Sequence, residues 1–207
     1  MLLLLVPRDN LQDLAAEAIS LVFNAPANAM FTFLIVYLCL DPAPPIQHLL
    51  VSLLFAGILP IAFVYALFRM GVIGDIYASD RGSRLIPFLS AISCYALSLA
   101  LLSFMGSPFT LVSLMACYLG NSIAMMLIST RWKISLHAAG IGGPSAFLIS
   151  QVDLGLWPFT LLTLPICWAR WRLKAHSVGQ LAAGVVLTAA LTLAQVELYR
   201  WLWLSRP

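Results

Sequence analysis

Charged side chains in this sequence are confined to short, widely spaced segments, and nothing else about it narrows the possible folds as much. No Asp, Glu, Lys or Arg occurs from Ile46 to Phe68, and none from Leu85 to Thr130. With 9% charged and 62% hydrophobic residues and a mean hydropathy of +0.97, there is too little charge to coat a soluble domain of 207 residues. The solvent for most of the chain is therefore lipid. Backbone polar groups in lipid must be satisfied within the chain, which favours helices.

A spanning helix takes about 20 mainly apolar residues. The length predicts a single all-α integral membrane domain over residues 1–207, a polytopic bundle of six to seven spans. Residues 9–23 place Leu11, Leu14, Ala15, Ala18 and Val22 on one helical face with Asp13 and Glu17 off it, the pattern of an N-terminal interfacial helix. Spans are predicted from Pro26 to about Leu40, from Ile46 to Phe68 with a bend at Pro60, from Leu85 to Met105, and from there to near Thr130. Further spans follow to Ile149, from Leu156 to Trp168, and from Ser177 to Leu204. The Leu2–Leu5 run meets Pro7 and Arg8 instead of a small-residue cleavage site, so it is not expected to act as a removable signal peptide.

If each span crosses once, the segments 71–84, 131–137 and 170–176 fall on the face that holds the N-terminus. That face collects every Lys and Arg except Arg200 and Arg206. By the bias of cationic loops towards the cytoplasm, it is predicted to be cytoplasmic, most simply at a cell inner membrane. Trp157, Trp168, Trp171, Trp201 and Trp203 fall near the predicted interfaces, as an aromatic belt does.

The same face carries the reactive groups. His137 and His176 fall at helix ends beside Arg81, Arg84, Lys133 and Arg170, whereas His48 falls on the opposite face. Imidazoles and guanidinium groups together suit a phosphate ester: arginines fork onto its oxygens, one histidine attacks phosphorus and the other protonates the leaving alcohol. Cys39, Cys94, Cys117 and Cys167 are scattered singly through apolar stretches, without the paired spacing of a zinc or redox motif. Asp75 and Asp80 flank basic groups and form no acidic cluster for magnesium. No metal, other cofactor or nucleic-acid partner is expected.

Arg170, five residues, His176, three residues, Gln180 resembles the third signature of the type 2 phosphatidic acid phosphatase superfamily, Ser-Arg, five residues, His, three residues, Asp. Ile134-Ser-Leu-His137 resembles the second, Pro-Ser-Gly-His, and Arg81-Gly-Ser-Arg84-Leu-Ile-Pro87 resembles the first, Lys, six residues, Arg-Pro. The run Lys133–Gly140 is similar to a bacterial branch of that superfamily. The resemblance covers about residues 60–190 and implies a six-helix membrane core, with His176 as the nucleophile that forms a phosphohistidine and His137 as the general acid. It implies a phosphate grip by Arg84, Arg170 and Ser135, with Arg81 and Lys133 nearby. The chain departs from the pattern where Tyr77 occupies the lysine position, Ala169 the serine, Ile134 and Leu136 the proline and glycine, and Gln180 the acid. Gln180 accepts an imidazole N–H but brings no charge to an imidazolium.

The expected function is hydrolysis of a lipid phosphate or isoprenoid diphosphate reached laterally from the membrane lipid. Two alternatives stand beside it. One is a catalytically inactive lipid-phosphate binding or assembly protein of the same fold. The other is a small membrane transporter, favoured by the helix breaks and disfavoured by ionisable residues gathered at one face instead of at mid-membrane.

Overall fold

The computed structural model describes residues 10–77 and 82–205. Arg8, Arg81 and Arg206 lie outside the described residues. Within them every regular element is helical and no strand occurs.

Polar caps start the helices where the sequence offers them. Asn10 accepts from Gln12 N at 3.0 Å to open α1 (Leu11–Val22), and Asn24 accepts from Ala27 N at 2.9 Å to open α2 (Ala25–Cys39). α1 and α2 meet at a 55° bend. α3 (Ile46–Leu53) and α4 (Leu59–Arg69) form one 24-residue rod through a π-helical turn at Leu54–Ile58. That turn lies just ahead of Pro60, where the missing N–H and the ring's clash with the preceding turn favour a wider winding. The bend anticipated at Pro60 is thus met by this local widening.

A 3-10 turn at Gly82–Arg84 leads into α5 (Leu85–Phe104), and Gly106, at φ 65°, turns the chain into α6 (Phe109–Ser129). Ser135 caps α7 (Leu136–Gln151), a 3-10 stretch covers Leu154–Leu162, and α8 (Thr163–Arg172) follows. α9 (Val178–Leu204) opens with a capping box in which Ser177 and Gln180 satisfy each other's backbone N–H groups.

α7 lies at the centre, packed against α2, α6, α8 and above all α9. Small residues permit this. A Cβ at Gly142 would lie 2.4 Å from Val185 O, and one at Gly184 2.8 Å from Ser135 O, so the α7 and α9 backbones nearly touch. Lower in the same interface, Asn121 Nδ2 donates to Thr192 Oγ1 (2.8 Å) and Gln195 Nε2 to Asn121 Oδ1 (2.9 Å), tying α6 to α9.

Among the described residues, four rods are long and apolar enough to cross a membrane, namely Ile46–Arg69, Gly82–Phe104, Phe109–Ser129 and Val178–Leu204, and the bent α1–α2 pair is a fifth if counted as one broken span. The sequence reading of six to seven spans counts more because it includes the stretch to Ile149 and that from Leu156 to Trp168, where the α-helices are short: α7 has 16 residues and α8 has 10. Large apolar side chains along the rods, among them Leu50, Phe63, Leu97, Leu127 and Leu193, face outward, as lipid contact requires. The protein is an all-helical membrane protein. All four cysteines are free, with Cys94 and Cys117 in the core.

Candidate functional site

One cavity of about 370 Å³ runs between the helices. Its walls are apolar for most of their length, with Pro60, Ile61, Val64, Phe88, Ala91 and Met125 among them, and His137, His176, Arg84, Arg170 and Tyr77 also line it. Along α5 the lining extends from Arg84 to Tyr95, about 16 Å at 1.5 Å per residue. A cavity with this depth and lining fits a molecule with an anionic head and an apolar tail.

His176 sits in the turn between α8 and α9, 7% exposed. Its Nδ1 lies 3.2 Å from Lys133 O and 3.2 Å from Gln180 Oε1. Gln180 Oε1 also accepts from Ser177 N at 3.2 Å, which fixes the amide with its oxygen towards the ring. Both neighbours of Nδ1 are acceptors, so Nδ1 carries the proton and Nε2 keeps the lone pair. Burial, and then the charge of Arg170, hold the imidazole down to about 4, against the smaller opposing effect of the Gln180 hydrogen bond. His176 is therefore neutral at ordinary pH.

His137 stands in the first turn of α7, 8% exposed, and its Nε2 lies 3.1 Å from Ser20 O of α1. A carbonyl only accepts, so Nε2 carries the proton and Nδ1 is the basic nitrogen. The two histidines thus present opposite ring nitrogens. Each is set by an acceptor on another element or turn.

The arginines are both 4% exposed. Arg84 Nη1 donates to Ile134 O at 3.2 Å, joining the start of α5 to the segment before α7. Arg170, near the end of α8, has its Nε buried without a hydrogen-bond partner among the described residues. A buried guanidinium with donor capacity to spare is suited to an anion. Among the described residues, no group of three or more His, Cys, Asp or Glu side chains could hold a metal ion.

The remaining candidates fall in different places. Ser135 is fully buried, and its Oγ accepts from Ala138 N at 3.4 Å as the α7 cap; it does not line the cavity. Lys133 contributes its carbonyl to His176, and its side chain does not line the cavity either. Arg81 is outside the described residues. His48 lies apart from the site, its Nδ1 2.6 Å from Ser107 Oγ.

Two contributors were not anticipated as site residues. Tyr77 presents its ring to the Arg170 guanidinium at 5.0 Å and to the His137 ring at 5.7 Å. Its position seven residues before Arg84, where the resembled family has lysine, is a signal that could have found it. The Ser20 carbonyl has no such signal, because a backbone group leaves no trace in residue type. Comparison with known proteins adds no further constraint: no family model, no curated protein and no solved structure matches this chain.

Proposed function

We propose that this protein is a membrane phosphohydrolase acting on a lipid phosphate or isoprenoid diphosphate through a phosphohistidine. The observation that carries the reading is the convergence of two oppositely oriented histidines and two buried arginines on one apolar cavity. The lipid's phosphate lies between Arg84 and Arg170, and its tail follows the cavity. His176 Nε2 attacks phosphorus, forming the N–P bond as the P–O bond to the lipid breaks. The lipid phosphate enters as its monoanion and passes its proton to His137 Nδ1; the departing alkoxide takes that proton, while the ring keeps its Nε2 proton on the Ser20 carbonyl. Water then attacks the phosphohistidine, breaking the N–P bond and giving its proton to His137, which passes it to the departing inorganic phosphate.

The similarity of these motifs to the type 2 phosphatidic acid phosphatase superfamily supports the same reading. On it, α7 and the stretch Leu154–Arg172 are further crossings, the latter about 33 Å long if nine residues rise 2.0 Å and ten rise 1.5 Å each. α1 then lies in the interface at the cytoplasmic face of an inner membrane. A cysteine introduced at Val72, in a protein stripped of native thiols, tests the side: labelling by an impermeant maleimide from outside intact cells contradicts it.

Phosphate release from phosphatidic acid and from a polyprenyl diphosphate, with metals chelated, tests the activity. Release by the purified protein that is lost in His176→Ala supports the proposal; release unchanged in that variant overturns it. A second reading, binding without turnover, is favoured by Gln180, which is uncharged and shares its Oε1 with the α9 cap. Tight binding of a lipid phosphonate with no phosphate release from either lipid would select it.

A further inference from the structure

α1 meets the site at its C-terminal end, where Leu21 lines the cavity and the Ser20 carbonyl reaches His137. Its outward face carries the exposed Leu11, Leu14 and Val22, while Ala16 and Ser20 are buried and Asp13 is half-buried on the opposite face. That inner face packs against α8, with small side chains that let the two helices approach closely. Near the start of α1, Asp13 Oδ1 lies 2.9 Å from Arg172 Nε, in the last turn of α8. Near its end, the Ser20 carbonyl belongs to the last four of the helix, which have no intrahelical donor. It takes its hydrogen bond from His137 Nε2.

These contacts make one connected unit. Arg172 stands two residues from Arg170, so α8 carries both the anchor for α1 and a phosphate ligand of the proposed site. α1 returns from that anchor to His137 on α7, with the negative end of its dipole towards the imidazole N–H. We propose that α1 is a clamp in which the Asp13–Arg172 pair sets the register of the helix and the Ser20 carbonyl holds His137 in the tautomer that leaves Nδ1 to the leaving group. Asp13 and Arg172 are then positioning residues that act through His137. The consequence for catalysis rests on the phosphohydrolase reading above, whereas the clamp itself does not.

The pair is about one third exposed, so by itself it is a weak restraint and neutralising Asp13 should have little effect. Charge reversal is the stronger probe. Asp13→Arg, Arg172→Asp and the double exchange would be treated with diethyl pyrocarbonate in detergent, and modification of each histidine read by mass spectrometry, alongside kcat and KM for phosphate release. The clamp predicts that Asp13→Arg speeds His137 modification about fivefold, the factor equivalent to 1 kcal/mol, with His176 and His48 unchanged. It predicts a matching fall in kcat at constant KM, and return of both readouts to wild type in the double exchange.

Unchanged His137 modification in Asp13→Arg overturns the clamp, whatever the activity. A rise at all three histidines overturns it too, because the helix would then be a general brace. A double exchange that fails to restore the wild-type rate removes the role given to the pair. If modification behaves as expected while the wild-type protein releases no phosphate, the clamp stands and the phosphohydrolase reading falls.

Discussion

The chemistry of His176 follows from which of its nitrogens is engaged. With Nδ1 held between Lys133 O and Gln180 Oε1, Nε2 is left as the nucleophile of the proposed reaction, and it works only when unprotonated. Burial and Arg170 lower its proton affinity, so the acid limb of kcat/KM for the free protein is expected near pH 4 instead of near 6.5, the rate falling as pH drops through it. Gln180→Glu tests the same point with opposite sign. Glu serves in a capping box as Gln does, so α9 keeps its start, but its charge favours the imidazolium. The acid limb should move up; a limb that stays in place would show that position 180 only caps the helix.

Tyr77 acts on Arg170 through the face of its ring. A cation over an aromatic ring contributes about 0.5–2 kcal/mol. Tyr77→Phe should therefore leave KM within twofold of wild type, while Tyr77→Leu should raise it by roughly 2- to 30-fold with a smaller change in kcat. Equal loss in both variants would assign the role to the hydroxyl.

Among the elements, α7 and α9 decide whether the site assembles at all. α7 brings His137 and α9 begins at Val178, two residues after His176, and their backbones meet at Gly142 and Gly184. A methyl group at Gly142 would meet backbone, which cannot swing aside as a side-chain end can. Gly142→Ala is expected to cost about 1–3 kcal/mol, read as an earlier thermal transition in detergent, with activity lost in proportion. Gly74→Ala is the control, since a Cβ there meets nothing within 4 Å. Equal transitions for the two variants would contradict the packing account.

The same scale separates what the sequence could disclose from what it could not. Apolar periodicity and breakers located most rods to within a few residues, because lipid enforces long uninterrupted helices. The break around Asp153 was legible, but the 3-10 winding of Leu154–Leu162 escaped it: hydropathy measures apolar content and not pitch. α1 was legible as an amphipathic helix, with its polar and small face turned to protein and its apolar face outward. That its end reaches His137 was not, since the 55° bend into α2 that aims it is a tertiary outcome.

Across the whole molecule, the reactive groups gather at one place: His137, His176, Arg84 and Arg170 line one cavity. His48 and Ser107 pair away from it. Residue type alone could not tell which of the neighbouring polar groups face that cavity. Ser135 and Lys133 were drawn in by sequence proximity and in the structure serve as a cap and a carbonyl.

The central claim is that His176 becomes covalently phosphorylated, and the intermediate can be caught directly. The purified protein would be mixed for milliseconds with ³²P-labelled lipid phosphate and quenched in alkali, because the N–P bond survives base and not acid, and the labelled peptide then sequenced. Label on His176 that is absent from His176→Ala and that accumulates in a variant slow to hydrolyse the intermediate is the predicted result. Steady release of phosphate with no label on His176 at any time would contradict the account.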